Sequence, residues 1–202
     1  MQQIPKPRFY SAHADTSVTY ANLPHWEQES RTCFLTFRLA DSLPEDLLSQ
    51  LAAEREEWEL VHPKPWSDAD TQEHFSLFEG KIHEWLDQGH GRCILRSEKT
   101  RALVEDVLRH FDGTRYVLYS YVIMPNHVHV LFMPMPGFSQ SKIIQSWKGV
   151  SAHWLNRLLS ETGAVWQKEY WDTLVRNERH FRAVLRYIRK NDPIHAWSVY
   201  EN

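Results

Sequence analysis

Cysteine is scarce in this chain: two in 202 residues, Cys33 and Cys93. They stand far apart in ordinary apolar surroundings. They form neither a metal-binding spacing nor a disulfide framework, so a reducing cytosol is the expected compartment. Long apolar runs are missing too. No stretch reaches the roughly 20 residues that a membrane-crossing helix needs. The N-terminal MQQIPKPRFYSAHAD lacks the apolar core of a secretion signal, so no membrane partner is expected. Nor is there an excess of positive charge: 23 Lys and Arg stand against 26 Asp and Glu, a net −3. That balance alone speaks weakly against a polyanionic partner, but its distribution reverses the reading. Residues 139–190 hold ten Lys and Arg and four Asp and Glu, and the rest of the chain thirteen and twenty-two. A basic C-terminal third on an acidic body is a candidate phosphate-binding face.

What is present is concentrated in Tyr116–Pro134, YVLYSYVIMPNHVHVLFMP. Two runs rich in Val, Ile, Tyr and Phe flank Met124-Pro125-Asn126, and Pro-Asn punctuates the join, which predicts a β-hairpin. The second strand opens His127-Val128-His129. Side chains alternate across a strand, so the two His share one face, about 7 Å apart, while Val128, Val130 and Phe132 take the other. A His in a strand is most often a hydrogen-bonded structural residue. Two of them held rigidly on one sheet face also suit a metal ion.

Met124-Pro125-Asn126-His127-Val128-His129-Val130-Leu131 resembles the signature of the single-tyrosine His-hydrophobic-His transposases, and most of all their REP-associated tyrosine transposase branch. The resemblance implies a metal-dependent nuclease and strand-transfer enzyme acting on single-stranded or hairpin DNA.

Taken in order, residues 1–30 read as an extended or irregular arm, and Arg31–Leu39 as a strand. Glu45–Leu60 and Thr71–Gln88 read as helices, the second with Phe75, Phe78, Ile82, Trp85 and Leu86 on one stripe; Pro63 and Pro65 lie between them. Glu98–Phe111 is an amphipathic helix ended by Asp112-Gly113. Gly137–Leu159 is a further helix with Ile143, Trp147, Val150, Trp154 and Leu158 on its apolar stripe. Ala164–Trp171 connects it to a short edge strand at Thr173–Arg176. Strand 32–39, helix 98–111, strands 116–123 and 127–133, helix 139–159 and strand 173–176 give a βαββαβ order, that of a ferredoxin-like α+β sandwich with an antiparallel sheet. Residues 31–202 are then a single domain with a helical insertion of about 41–96 after its first strand.

The last helix, Glu178–Asn191, has Phe181, Val184, Leu185 and Ile188 on its apolar stripe. Arg179, Arg182, Arg186, Arg189 and Lys190 lie opposite, and with Lys148 and Arg176 they are the candidate DNA-binding residues. Tyr187 and Asn191, four apart, share the stripe's edge. Two His supply too few ligands for a metal ion, and Asn191 can add a carbonyl oxygen one turn from Tyr187. Tyr187-Ile188-Arg189-Lys190-Asn191, followed by Pro193 and Ala196, resembles the family's Tyr-Ile-x-x-Asn-Pro-x-x-Ala segment. By that resemblance Tyr187 is the nucleophile and forms a 5′-phosphotyrosine link, and His127, His129 and Asn191 hold Mg²⁺ or Mn²⁺. Trp166-Gln167 and Tyr170-Trp171 resemble the family's connector. This chain departs from the pattern at Asp192, which separates Asn191 from Pro193, and at Trp197, where the family has Gly.

Tyr170 is a rival nucleophile, but it sits in a connector rather than on a helix with a ligand one turn away. Trp147, Trp166 and Trp171 are candidate stacking surfaces for bases, with core packing the first assignment for Trp147. Two other functions fit the His pair: a hydrolase that activates water at a metal without Tyr187, and a non-catalytic nucleic-acid-binding module. A monomer and a homodimer are both compatible with the sequence.

Overall fold

The computed structural model describes residues 4–20, 24–63, 66–74, 77–78, 80–192 and 194–200. In chain order the elements are β1 (Ser17–Tyr20), β2 (Pro24–Glu27), β3 (Cys33–Arg38), α1 (Glu45–Val61), α2 (Asp68–His74) and α3 (Gly80–Asp87). A 3₁₀ turn at Ile94–Arg96 leads into α4 (Glu98–Arg109), β4 (Tyr116–Ile123), β5 (His127–Pro134) and α5 (Gln140–Leu159). The chain continues through β6 (Trp171–Leu174), α6 (Glu178–Asn191) and β7 (Trp197–Ser198). It forms two compact units, residues 41–93 and the remainder.

The main sheet runs β6-β3-β5-β4-β7 with every neighbour antiparallel. Its first four strands have the ferredoxin-like order. The crossovers β3-α4-β4 and β5-α5-β6 each leave a gap that a strand of the other fills. All eight residues of β4 and all eight of β5 are buried, because both sheet faces are covered. On one face Leu118, Tyr121, Ile123, Val128, Val130 and Phe132 pack with Val104, Leu108, Ile143, Ile144 and Trp147 of α4 and α5. On the other, Val117, Tyr119, Val122, Leu131 and Met133 pack with Phe181, Val184 and Ile188 of α6. A register shift between Leu118 and Ser120 accounts for the change of parity along β4. One extra residue lets Tyr119 and Val122 share a face, as a bulge does. Each large side chain buried this way contributes roughly 1.5–3 kcal/mol.

The strand Thr173–Arg176 expected from sequence lies earlier, at Trp171–Leu174, where pairing with Cys33–Thr36 fixes it. The expected helix Thr71–Gln88 is two helices, α2 and α3; Pro65, Phe75 and Pro193 lie outside the described residues. The expected stripe on α5 also moves. Val150, Trp154 and Leu158 are exposed, and the buried side runs through Ile143, Ile144, Trp147, Ser151 and Leu155. Ser151 is admitted because its hydroxyl donates to the Trp147 carbonyl at 2.6 Å and accepts from Trp166 Nε1 at 2.9 Å.

The N-terminal residues expected to be irregular include the β1–β2 hairpin. Its anchors are polar and long-range. His25 Nδ1 meets Asp172 Oδ1 at 2.5 Å, and the Gln140 backbone N–H donates to Glu27 Oε1 at 2.6 Å. The segment before it runs along the α6 side: Tyr119 Oη donates to the Pro5 carbonyl at 3.0 Å, and Phe9 packs on Phe181.

Residues 41–93 have their own small core of Leu51, Trp58 and Phe78, with Trp66, Ile82 and Trp85 against it.

Candidate active site

The alternation along β5 sends His127 and His129 to the α6 face, and the pairing register sets their neighbours. Directly opposed residues of antiparallel strands project to the same side. Thr36 lies opposite His129, and Arg38 opposite His127. Both imidazoles are almost wholly buried, at 1 % and 0 % exposure. Each is held from behind through Nδ1, His127 by Asn126 Oδ1 at 2.8 Å and His129 by Thr36 Oγ1 at 2.7 Å. An amide oxygen only accepts, so neutral His127 carries its proton on Nδ1 and turns a lone pair out through Nε2. The two Nε2 atoms converge to 3.1 Å.

Tyr187 arrives from α6. Val184 and Ile188 bury against the sheet, which brings the Tyr187 flank of the helix over β5. Its hydroxyl lies 3.3 Å from His129 Nε2, and its ring is 5.1 Å from the His129 ring. Phe34 sits beside both, 5.8 Å from the Tyr187 ring and 5.6 Å from that of His129. Asn191, one turn on, donates through Nδ2 to the Tyr187 carbonyl at 3.0 Å. The helix begins at Asn177, whose side chain accepts from the His180 N–H at 2.9 Å.

The donor set suits a divalent cation in part. Adjacent ligands of an octahedral ion at about 2.1 Å stand about 3 Å apart, close to the spacing of the two Nε2 atoms. Held Nδ1 atoms are the usual support of metal-bound imidazoles. Among the described residues no cluster of three or more His, Cys, Asp or Glu could hold a metal. The candidate set, His127, His129 and the Asn191 amide, contains only two residues of those types.

Of the other residues singled out from sequence, Arg179, Arg182, Arg186, Arg189 and Lys190 are all exposed on α6, and Arg176 is exposed just before it. Arg182 pairs with Glu178 at 2.8 Å. Lys148 is elsewhere. It reaches from α5 to the Lys168 and Glu169 carbonyls and lines a cleft of about 500 Å³ with Trp166, Gln167 and Lys168. Burial, partly opposed by Glu169 and reinforced by the Arg38 charge, brings Lys148 down to about 8.

Tyr170 packs on the α4/α5 face, stacked on His25 at 4.2 Å, and burial pushes its hydroxyl well above its ordinary value. Trp147 and Trp166 are core residues, at 2 % and 6 % exposure. Trp147 Nε1 donates to Tyr116 Oη. Asp192 turns to His195, whose Nδ1 lies 2.6 Å away, and to the His195 and Ile194 N–H groups. Trp197 stacks on Tyr121 at 5.2 Å and lies 4.5 Å below the Arg109 guanidinium, so the residue standing in place of Gly is an anchor for β7. Sequence reasoning missed Thr36, Asn126 and Phe34. Asn126 read only as turn punctuation, and Thr36 and Phe34 lie some ninety residues from the His pair they support.

Residues 92–191 match the family model described as IS200-like transposases. Among solved structures, the chain is similar to a REP-associated tyrosine transposase bound to a REP hairpin, at 15 % identity and a TM-score of 0.48 over 87 % of this chain and 73 % of that one. It is also similar to a protein described as a transposase from Deinococcus radiodurans R1, at 12 % identity and a TM-score of 0.32 over 79 % of this chain and 89 % of that one. No curated protein sequence matches. Residues 92–191, just under half of the chain, thus carry a likeness to the IS200-like transposases.

Proposed function

We propose that the protein cleaves and rejoins single-stranded or hairpin DNA with Tyr187 as nucleophile. The observation that carries this is the Tyr187 hydroxyl 3.3 Å from His129 Nε2, on a face where the His127 and His129 Nε2 atoms converge. A tyrosine hydroxyl, with an ordinary pKa of about 10, is a weak nucleophile on its own. Mg²⁺ or Mn²⁺ held by His127 Nε2, His129 Nε2 and the Asn191 amide oxygen supplies charge neutralisation at the phosphate oxygens.

The rest is work for the chain itself. Tyr187 Oη forms a bond to phosphorus as its proton passes to water. The bond from phosphorus to the 3′-oxygen breaks, and that oxygen leaves with the electron pair and takes up a proton. The products are a 5′-phosphotyrosine and a 3′-hydroxyl. Attack by another 3′-hydroxyl on the phosphotyrosine reverses the step and joins strands. Thr36 and Asn126 fix the imidazoles, and Phe34 holds the Tyr187 ring edge-on. The exposed Arg and Lys row of α6, with Arg176, follows the phosphate backbone, so binding weakens with salt. The Tyr187-Ile188 and Asn191 spacing supports the REP-associated branch within the family.

The test mixes the purified protein with a pool of labelled hairpins bearing single-stranded flanks, in Mn²⁺, on a denaturing gel. A denaturant-resistant protein–DNA band, absent from Tyr187→Phe and from His127→Ala, is expected. Cleavage without such a band, unchanged in Tyr187→Phe, means instead a hydrolase that activates water. Salt-sensitive binding with no cleavage means a binding module.

A further inference from the structure

The catalytic face does not end at the His pair. Trp171 lies opposite Thr36, on β6 at the edge of the sheet, so it shares the face of Thr36 and His129. Two strand spacings separate it from β5, about 10 Å. Phe34 joins the two sites: its ring meets Trp171 edge-on at 5.4 Å and Tyr187 edge-on at 5.8 Å. Trp171 is therefore one ring away from Tyr187. It is half-buried, while Trp147 and Trp166 are enclosed. Arg38 lies opposite His127 on the same face, at the end of β3, and is also half-buried. Its backbone carbonyl accepts from the Gln167 N–H at 2.9 Å, which fixes its place between β5 and the connector. An aromatic ring thus stands on the His face on the side of the pair away from β4, and the Arg38 backbone leaves β3 beside His127, between the His pair and the connector.

We propose that Arg38 and Trp171 form a nucleotide subsite for the single strand next to the scissile phosphate, Trp171 stacking on a base and Arg38 holding a phosphate. Stacking on an aromatic ring is indifferent to base identity, and a guanidinium pairs with phosphate oxygens through two N–H groups. The subsite rests on the strand-cleavage reading for its purpose, but its binding is separable from the chemistry. It also gives the edge strand a role beyond closing the sheet.

The probes are fluorescein-labelled oligothymidylate and the same chain with abasic sites throughout, titrated without metal by anisotropy. Wild type is expected to bind the thymidylate about five- to a hundredfold more tightly than the abasic chain, the range for one stacked base. Trp171→Ala loses that preference, and Trp171→Phe keeps part of it. Arg38→Ala weakens both probes alike and flattens the salt dependence, and Arg38→Lys restores most of it. A wild type indifferent to the missing bases, or a Trp171→Ala protein that keeps the preference, overturns the stacking role. Unchanged salt dependence in Arg38→Ala overturns the phosphate role. The covalent-band assay on the same variants separates the two failures. A wild-type adduct with unaltered variants sinks the subsite alone. Lost base preference with no adduct in any protein sinks the cleavage reading alone.

Discussion

The Tyr187 hydroxyl lies 3.3 Å from His129 Nε2, although the two residues are 58 positions apart in the chain. The contact is made by the burial of Val184 and Ile188 on the His face of the sheet. Replacing Tyr187 by Phe removes only the hydroxyl from a half-buried ring. The account predicts no covalent product, unchanged DNA binding, and a stability within about 0.5 kcal/mol of wild type. Gel, anisotropy and thermal melts check the three.

The supports behind the imidazoles carry the second prediction. Asn126→Ala leaves His127 Nδ1 without its acceptor and frees the ring to turn. Apparent Mn²⁺ affinity for adduct formation is expected to fall roughly 10- to 100-fold. Thr36→Val does the same to His129. A Mn²⁺ titration of the initial adduct rate measures both.

Much of this site was legible in sequence, and the rest was hidden for physical reasons. The His127–His129 alternation and the Tyr187–Asn191 spacing are local periodicities, so one strand and one helix carry them in full. Thr36 and Arg38 are set by register across strands, and no local pattern encodes that partner. The β1–β2 hairpin escaped because polar groups hold it, His25 on Asp172 and Glu27 on the Gln140 N–H, rather than an alternating apolar run. The stripe on α5 was misplaced because Ser151, a polar residue, takes a core position through its hydrogen bonds.

The His25–Asp172 pair predicts a pH dependence for that hairpin. Burial by itself lowers the His25 pKa, but the hydrogen bond and charge of Asp172, with Glu169, override it and leave the value above 6.5. A base whose folded-state pKa is raised stabilises fully below the unfolded value, and the gain is lost as pH rises through the folded one. Amide exchange of residues 17–27, corrected for intrinsic rates, should therefore show most protection below about 6.5 and less above it. Asp172→Asn should flatten the profile.

The 41–93 unit is expected to respond in the opposite sense. Burial lowers His83 from 6.5 to about 4. Between these values the unfolded chain binds more protons, so stability falls as pH falls through that window. Hydrogen exchange across residues 41–93 should quicken on acidification, and His83→Gln should remove that part of the change.

Packing beneath the nucleophile gives a prediction on stability. Ile188 is fully buried between α6 and the sheet. Ile188→Ala should cost about 2–5 kcal/mol in denaturant unfolding. It should also slow adduct formation, since the same contact sets the Tyr187 position.

The central claim is the identity of the nucleophile. Adduct formed on a labelled hairpin in Mn²⁺ is digested with protease and nuclease, and the peptide bearing a nucleotide is sequenced by mass spectrometry. The account predicts a phosphotyrosine-linked nucleotide on Tyr187. The same mass on Tyr170, or on any residue outside α6, contradicts it.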